Sequence, residues 1–168
     1  MKRPSIYVFP IVLTCVVAAV LARGAAHQPH FVGTAVNNPA DAALVVEAFK
    51  NSRNPIHVVR VNDGEQVMDY LWGRDGFSGE KIPDLILLDL NMPRKNGFQV
   101  LGAIRSDPKL NAIPVVILTN SRLESDVQQA YEASANYYLV KPPDLDDFFT
   151  AMRKVEDIWL GGLNSEED

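Results

Sequence analysis

Asp84-Leu85-Ile86-Leu87-Leu88-Asp89-Leu90-Asn91-Met92-Pro93-Arg94-Lys95-Asn96-Gly97 reads as a buried strand that ends on a carboxylate and is forced to turn. The unbroken aliphatic run after Asp84 leaves no polar face, which is the pattern of a parallel strand covered on both sides. Pro93 has no backbone N–H and biases Met92 away from helical geometry, so no helix starts before it. Gly97 then opens a helix carrying Val100, Leu101 and Ile104 on one face.

Outward from this stretch, β-rich apolar runs alternate with helix-period segments, the pattern of parallel strands joined by crossover helices. The strand candidates are Phe31 to Val36, Ile56 to Val61, Asp84 to Leu88, Pro114 to Leu118 and Asn136 to Leu139. Asn38-Pro39 with Asp41 beyond predicts an N-cap, a proline in the first turn and an acid that the helix N-terminus stabilises. In that helix Leu44 with Ala48 and Val45 with Phe49 supply the buried stripe. Asp63 to Gln66 and Ser121 to Glu124 have capping-box spacing, opening helices with Val67 and Leu71, and Val127 and Tyr131, on their apolar faces. The last helix starts near Asp144 and carries Leu145, Phe148, Phe149, Met152, Val155 and Trp159. The expected fold is α/β, a doubly wound five-stranded parallel sheet of flavodoxin-like topology.

Such a sheet binds ligands beyond the carboxyl ends of its strands. Those ends offer Val36 and Asn37, then Asp89, then Thr119, then Lys141 followed by Pro142-Pro143. A carboxylate, a hydroxyl and an ammonium are therefore expected to converge. No glycine-rich phosphate loop follows the first strand, so nucleotide binding of the common kinds is unsupported.

Composition narrows the function classes. The 168 residues carry 16 Lys+Arg against 21 Asp+Glu, a formal charge of −5, and the sequence pI near 5.2 argues against a nucleic-acid surface. A single cysteine, Cys15, supports neither an internal disulfide nor a four-ligand zinc site. Residues 1–26 form a separate segment. Lys2 and Arg3 precede an uncharged run from Ile6 to Leu21, in the order of a signal peptide or a marginal membrane anchor. Residues 27–30 read as a linker, where His27 and His30 lack further metal ligands, and residues 161–168 as an acidic tail. The folded domain is expected over residues 31–160.

Three separated motifs, DLILLDLNMPRKNG around Asp89, VVILTNS around Thr119 and Ser121, and YYLVKPPDLDDF around Lys141, resemble the receiver domain of two-component response regulators. The long loop before Pro83 and the closing EDIWL near Trp159 look most like the stand-alone regulators that partner phytochrome kinases. The resemblance implies that Asp89 accepts a phosphoryl group from a sensor histidine kinase, with no small-molecule substrate beyond the phosphodonor. It also implies that Mg²⁺ is held by Asp89 and the Asn91 carbonyl, that Lys141 and Thr119 contact phosphoryl oxygens, and that Tyr138 is the switch aromatic responding to Thr119. The implied chain is a signalling module rather than an enzyme, cytoplasmic by family. Residues 1–26 predict anchoring or export instead. The apolar stripe of the last helix leaves room for a homodimer.

Two adjacent positions depart from the family pattern. Receivers carry two adjacent acids at the end of the first strand, where this chain has Val36 and Asn37. Asn37 offers Mg²⁺ a neutral oxygen and Val36 none, although this hard cation prefers carboxylates. Even a residual loss of about 2–3 kcal/mol weakens metal affinity roughly thirty- to a hundredfold. An Asp89–Lys141 ion pair is expected to fill the weakened metal site, and Asp41 is assigned to its helix turn. The alternative function is a pseudo-receiver, a protein-binding module of the same fold that is not phosphorylated.

Overall fold

The computed structural model describes residues 30–36, 38–52 and 55–161. Residues 1–29, among them the signal-like segment, Cys15 and His27, lie outside that description, as do Asn37 and the acidic tail from residue 162 onward. No helix among the described residues is long and apolar enough to cross a membrane.

Strands and helices alternate: β1 (His30–Ala35), α1 (Pro39–Phe49), β2 (Ile56–Val61), α2 (Gly64–Trp72), β3 (Leu85–Leu88), α3 (Gly97–Ser106), β4 (Val115–Thr119), α4 (Glu124–Glu132), β5 (Tyr137–Val140) and α5 (Leu145–Trp159). All strand pairs are parallel, in the order β2-β1-β3-β4-β5, which is the expected doubly wound topology. Four strands are displaced from their expected bounds by one residue at one or both ends. His30, expected in the linker, opens β1 and donates its N–H to the Pro55 carbonyl at 2.9 Å.

The period-2 geometry of β3 divides the core. Leu85 and Leu87 face α1 and α5, packing with Val45, Phe49, Phe148, Met152, Val155 and Trp159. Ile86 and Leu88 face the opposite layer, with Val67 and Leu71 of α2, Val100, Leu101 and Ile104 of α3, and Ala130 of α4. Burying each such leucine contributes about 1.5–3 kcal/mol, so a strand without a polar face is stable only between two helical layers.

Helix starts follow local chemistry. The Asn38 side chain accepts from the Ala40 N–H at 2.9 Å, with Pro39 in the first turn, as expected. Asp63 caps α2 through the Glu65 and Gln66 N–H groups, but Gln66 reaches the Asn62 N–H rather than that of Asp63. The expected Ser121–Glu124 box does not form. Leu123 occupies the cap position without a side-chain bond; the Ser121 hydroxyl donates to Asp126 at 2.5 Å while its oxygen accepts the Leu123 N–H at 3.3 Å, one residue short of the start of α4. A full capping box instead joins Asn96 and Gln99 at the start of α3. Tyr131 and Leu145, expected on apolar faces, are exposed, since each lies at the edge of its helix stripe.

Two glycines let backbones approach. A Cβ on Gly64 would come within 2.0 Å of the Lys95 carbonyl oxygen, and one on Gly97 within 2.4 Å of that of Asp89. The β3–α3 connection thus lies against the start of α2, where the Arg94 guanidinium also meets the buried Asp63 carboxylate at 2.9 Å. Arg105 fastens the far end of α3, donating to the carbonyls of Asn111, Ile113 and Ser134 and to the Asn136 side chain.

Candidate functional site

Asp89 is set by the strand before it and the turn after it. Its N–H donates to the Ala35 carbonyl at 2.9 Å, extending the β1–β3 ladder by one bond, and its carbonyl sits beneath Gly97. With only 6% of its surface exposed, its carboxylate needs partners, since a buried unpaired charge is costly. Oδ1 accepts the Asn91 N–H at 3.0 Å, and Oδ2 accepts from Lys141 Nζ at 2.7 Å. The expected Asp89–Lys141 pair is present.

Lys141 is carried one residue past β5, its N–H bonded to the Thr119 carbonyl at 2.8 Å, so the ends of β4 and β5 are fixed together. Its ammonium has a second partner: Nζ also lies 2.7 Å from Asp41 Oδ2. The assignment of Asp41 to its helix turn alone is therefore corrected. The winding that places strand ends at a common mouth also brings the first turn of α1 there, and the Asp41 side chain reaches across to the amine. The signal in the sequence was an acid three residues beyond an N-cap that itself follows a strand end.

Thr119 is fully buried, and its hydroxyl accepts the Ser121 N–H at 3.3 Å. Tyr138 is turned inward, its hydroxyl donating to the Ser121 carbonyl at 3.2 Å. Burial pushes the Tyr138 phenol above its usual pKa, and the charges of Asp126 and Asp89 act in the same direction. Ser121 is thereby a junction missed in the sequence: its N–H, carbonyl and hydroxyl meet Thr119, Tyr138 and Asp126 respectively. Of the expected residues, Asp89, Lys141, Thr119 and Tyr138 lie at or beside one strand-end cluster. Asn91 joins it through its N–H, and Asn37 lies outside the described residues.

The family pattern implies a divalent cation, and the residues can be tested against one. Val36, at the end of β1, is completely buried and apolar, and offers no side-chain oxygen. The carboxylates of Asp41 and Asp89 already share an ammonium. Among the described residues no group of three or more His, Cys, Asp or Glu could hold a metal ion. The residues described here do not fit a receiver's Mg²⁺ site, whose ligand set is mostly hard, charged oxygen.

Comparison with known proteins agrees with this fold. Residues 36–153 match the family model of the response regulator receiver domain. The chain is similar to the response regulator Rcp1 of Synechocystis sp., 37% identical over 134 residues, covering 80% of this chain and 91% of that protein. It is 34% identical over 136 residues to a probable methanogenesis regulatory protein, FilR2 of Methanothrix harundinacea, covering 81% of this chain and 87% of that one. Among solved structures, the phosphorylated cyanobacterial phytochrome response regulator RcpA matches with a TM-score of 0.77 at 40% identity, over 79% of this chain and 95% of that chain. The Mn²⁺-bound form of Rcp1 matches with a TM-score of 0.76 at 37% identity, over 81% and 98%.

Proposed function

This chain belongs to the response regulator receiver family, and we propose that it accepts a phosphoryl group on Asp89 from a phosphohistidine of a partner sensor kinase, at a site with weakened affinity for Mg²⁺. The observation that carries this reading is the Asp89 carboxylate held at the mouth of the sheet, one oxygen 2.7 Å from the Lys141 ammonium.

In the transfer an Asp89 carboxylate oxygen forms the new P–O bond while the P–N bond of the phosphohistidine breaks. The imidazole leaves with the bonding pair and is protonated from solvent, and an acyl phosphate remains on Asp89. Lys141 is a compact point charge that supports the added phosphoryl oxygens. Thr119 and Tyr138 then convey the change toward α4, β5 and α5. The reading is of a signalling module rather than an enzyme, and it requires the domain to face the compartment that holds ATP, from which the kinase draws its phosphate.

A second reading, a pseudo-receiver that binds partners without being phosphorylated, is favoured by one observation: the ammonium is shared by two carboxylates beside a buried valine. Incubation of the full chain with acetyl phosphate and Mg²⁺, followed by intact mass, separates the two. A gain of one phosphoryl group, absent in Asp89→Ala, supports the receiver. An unchanged mass under the same conditions supports the binding module.

A further inference from the structure

We propose that Asp41 competes with the incoming phosphoryl group for the Lys141 ammonium and so sets how readily Asp89 is phosphorylated. The inference rests on Asp89 being the acceptor and adds a positioning residue on a different element, the first turn of α1.

Asp41 Oδ2 and Asp89 Oδ2 each lie 2.7 Å from Lys141 Nζ, so one positive charge serves two negative ones. The Lys141 side chain is 7% exposed and that of Asp41 20%, so water screens this arrangement only in part. Phosphorylation replaces the single charge on Asp89 with a phosphoryl group of about −1.5 to −2. The surplus must be met by a cation, yet Val36 supplies no ligand for one, and the remaining amine is already paired with Asp41. Asp41 cannot easily give it up. Its charge is favoured where it stands by the N-terminus of α1, whose cap is formed by Asn38. Lys141 must therefore loosen its bond to Asp41 to follow the phosphoryl oxygens, or leave two anions facing each other.

Asp41→Asn keeps the size and an acceptor oxygen while removing the competing charge. In the full chain incubated with acetyl phosphate and Mg²⁺, the initial rate of phosphoryl gain at Asp89, read by intact mass, should rise about tenfold, the equivalent of about 1.4 kcal/mol in the barrier. In a Lys141→Ala background, or Lys141→Gln should the alanine variant not fold, the same change should alter the rate less than about twofold, because the ammonium being contested is gone. A wild-type chain that is modified at Asp89 but gains nothing from Asp41→Asn overturns the inference and leaves the receiver reading standing. A full tenfold gain that persists without Lys141 also overturns it, since Asp41 would then act on the phosphoryl group directly. Should none of these proteins gain mass, the acceptor reading falls and this inference with it.

Discussion

The carboxyl ends of β1 and β3 lie side by side in the sheet and carry opposite chemistry. Past β3 stands Asp89, a carboxylate bonded to the Asn91 N–H and to the Lys141 ammonium; past β1 stands Val36, buried and apolar. Both follow strands in the same register, with Ala35 paired to Leu88, so the backbone offers each the same view of the mouth. What differs is only the side chain. The β3 end carries a carboxylate, whereas the described residue at the β1 end offers no side-chain oxygen, and Lys141 ties Asp89 to Asp41. The two ends are carried by different strands, so a side-chain change at one leaves the chemistry of the other in place.

The largest effect that sharpens this contrast comes from removing the amine. Lys141→Ala leaves Asp41 and Asp89 facing each other without a cation, and should cost about 3–5 kcal/mol of stability in urea unfolding. A loss below about 1 kcal/mol would mean that the ammonium does not hold the mouth together. Next is the reverse operation on the β1 side. Val36→Asp with Asn37→Asp should raise Mg²⁺ affinity, measured by titration calorimetry, roughly thirty- to a hundredfold, or about 2–3 kcal/mol. No change in affinity would show that the first-strand residues do not explain the poor fit.

Smaller effects test how firmly Asp89 is placed. Gly97→Ala should destabilise by about 1–3 kcal/mol, because its Cβ meets the Asp89 carbonyl. Gly102→Ala in the same helix meets no atom within 4 Å and should stabilise by about 0.5–1 kcal/mol. Equal outcomes at the two glycines would remove the close approach as a constraint on the site. Finally, Tyr138→Phe should cost about 1 kcal/mol by freeing the Ser121 carbonyl. Burial raises the Tyr138 pKa in the folded state, so the stability it lends is full below about pH 10 and is lost as pH rises through the higher folded value. The phenylalanine variant should show a shallower loss of stability in that alkaline range.

Much of the fold was legible because its signals are local. The aliphatic run of β3, the Asn38-Pro39 start and the Asp63 and Asp144 caps each act within a few residues. Asp89, Thr119 and Lys141 were legible because strand ends in a wound sheet share one mouth. Asp41 was not. The same carboxylate that suits a helix N-terminus also reaches Lys141, 100 residues away, and no spacing in the chain declares the second role. Ser121 misled for a related reason: its hydroxyl donates to Asp126 at i+5 and accepts the N–H of Leu123 at i+2, so the bond expected to Glu124 is not made. The Arg105 clamp on three loop carbonyls is likewise set by tertiary proximity alone, an ordinary helical arginine in the sequence.

The central claim is that the acceptor survives while the cation site has been weakened, and the rate of phosphorylation as a function of Mg²⁺ tests it most directly. Time courses of intact mass with acetyl phosphate should show slow modification of the wild-type chain, abolished in Asp89→Ala and hardly changed by millimolar Mg²⁺. The Val36→Asp, Asn37→Asp chain should be modified faster and with clear Mg²⁺ dependence. Rapid wild-type modification that saturates at low Mg²⁺, or a restored chain no faster than the wild type, would contradict the account.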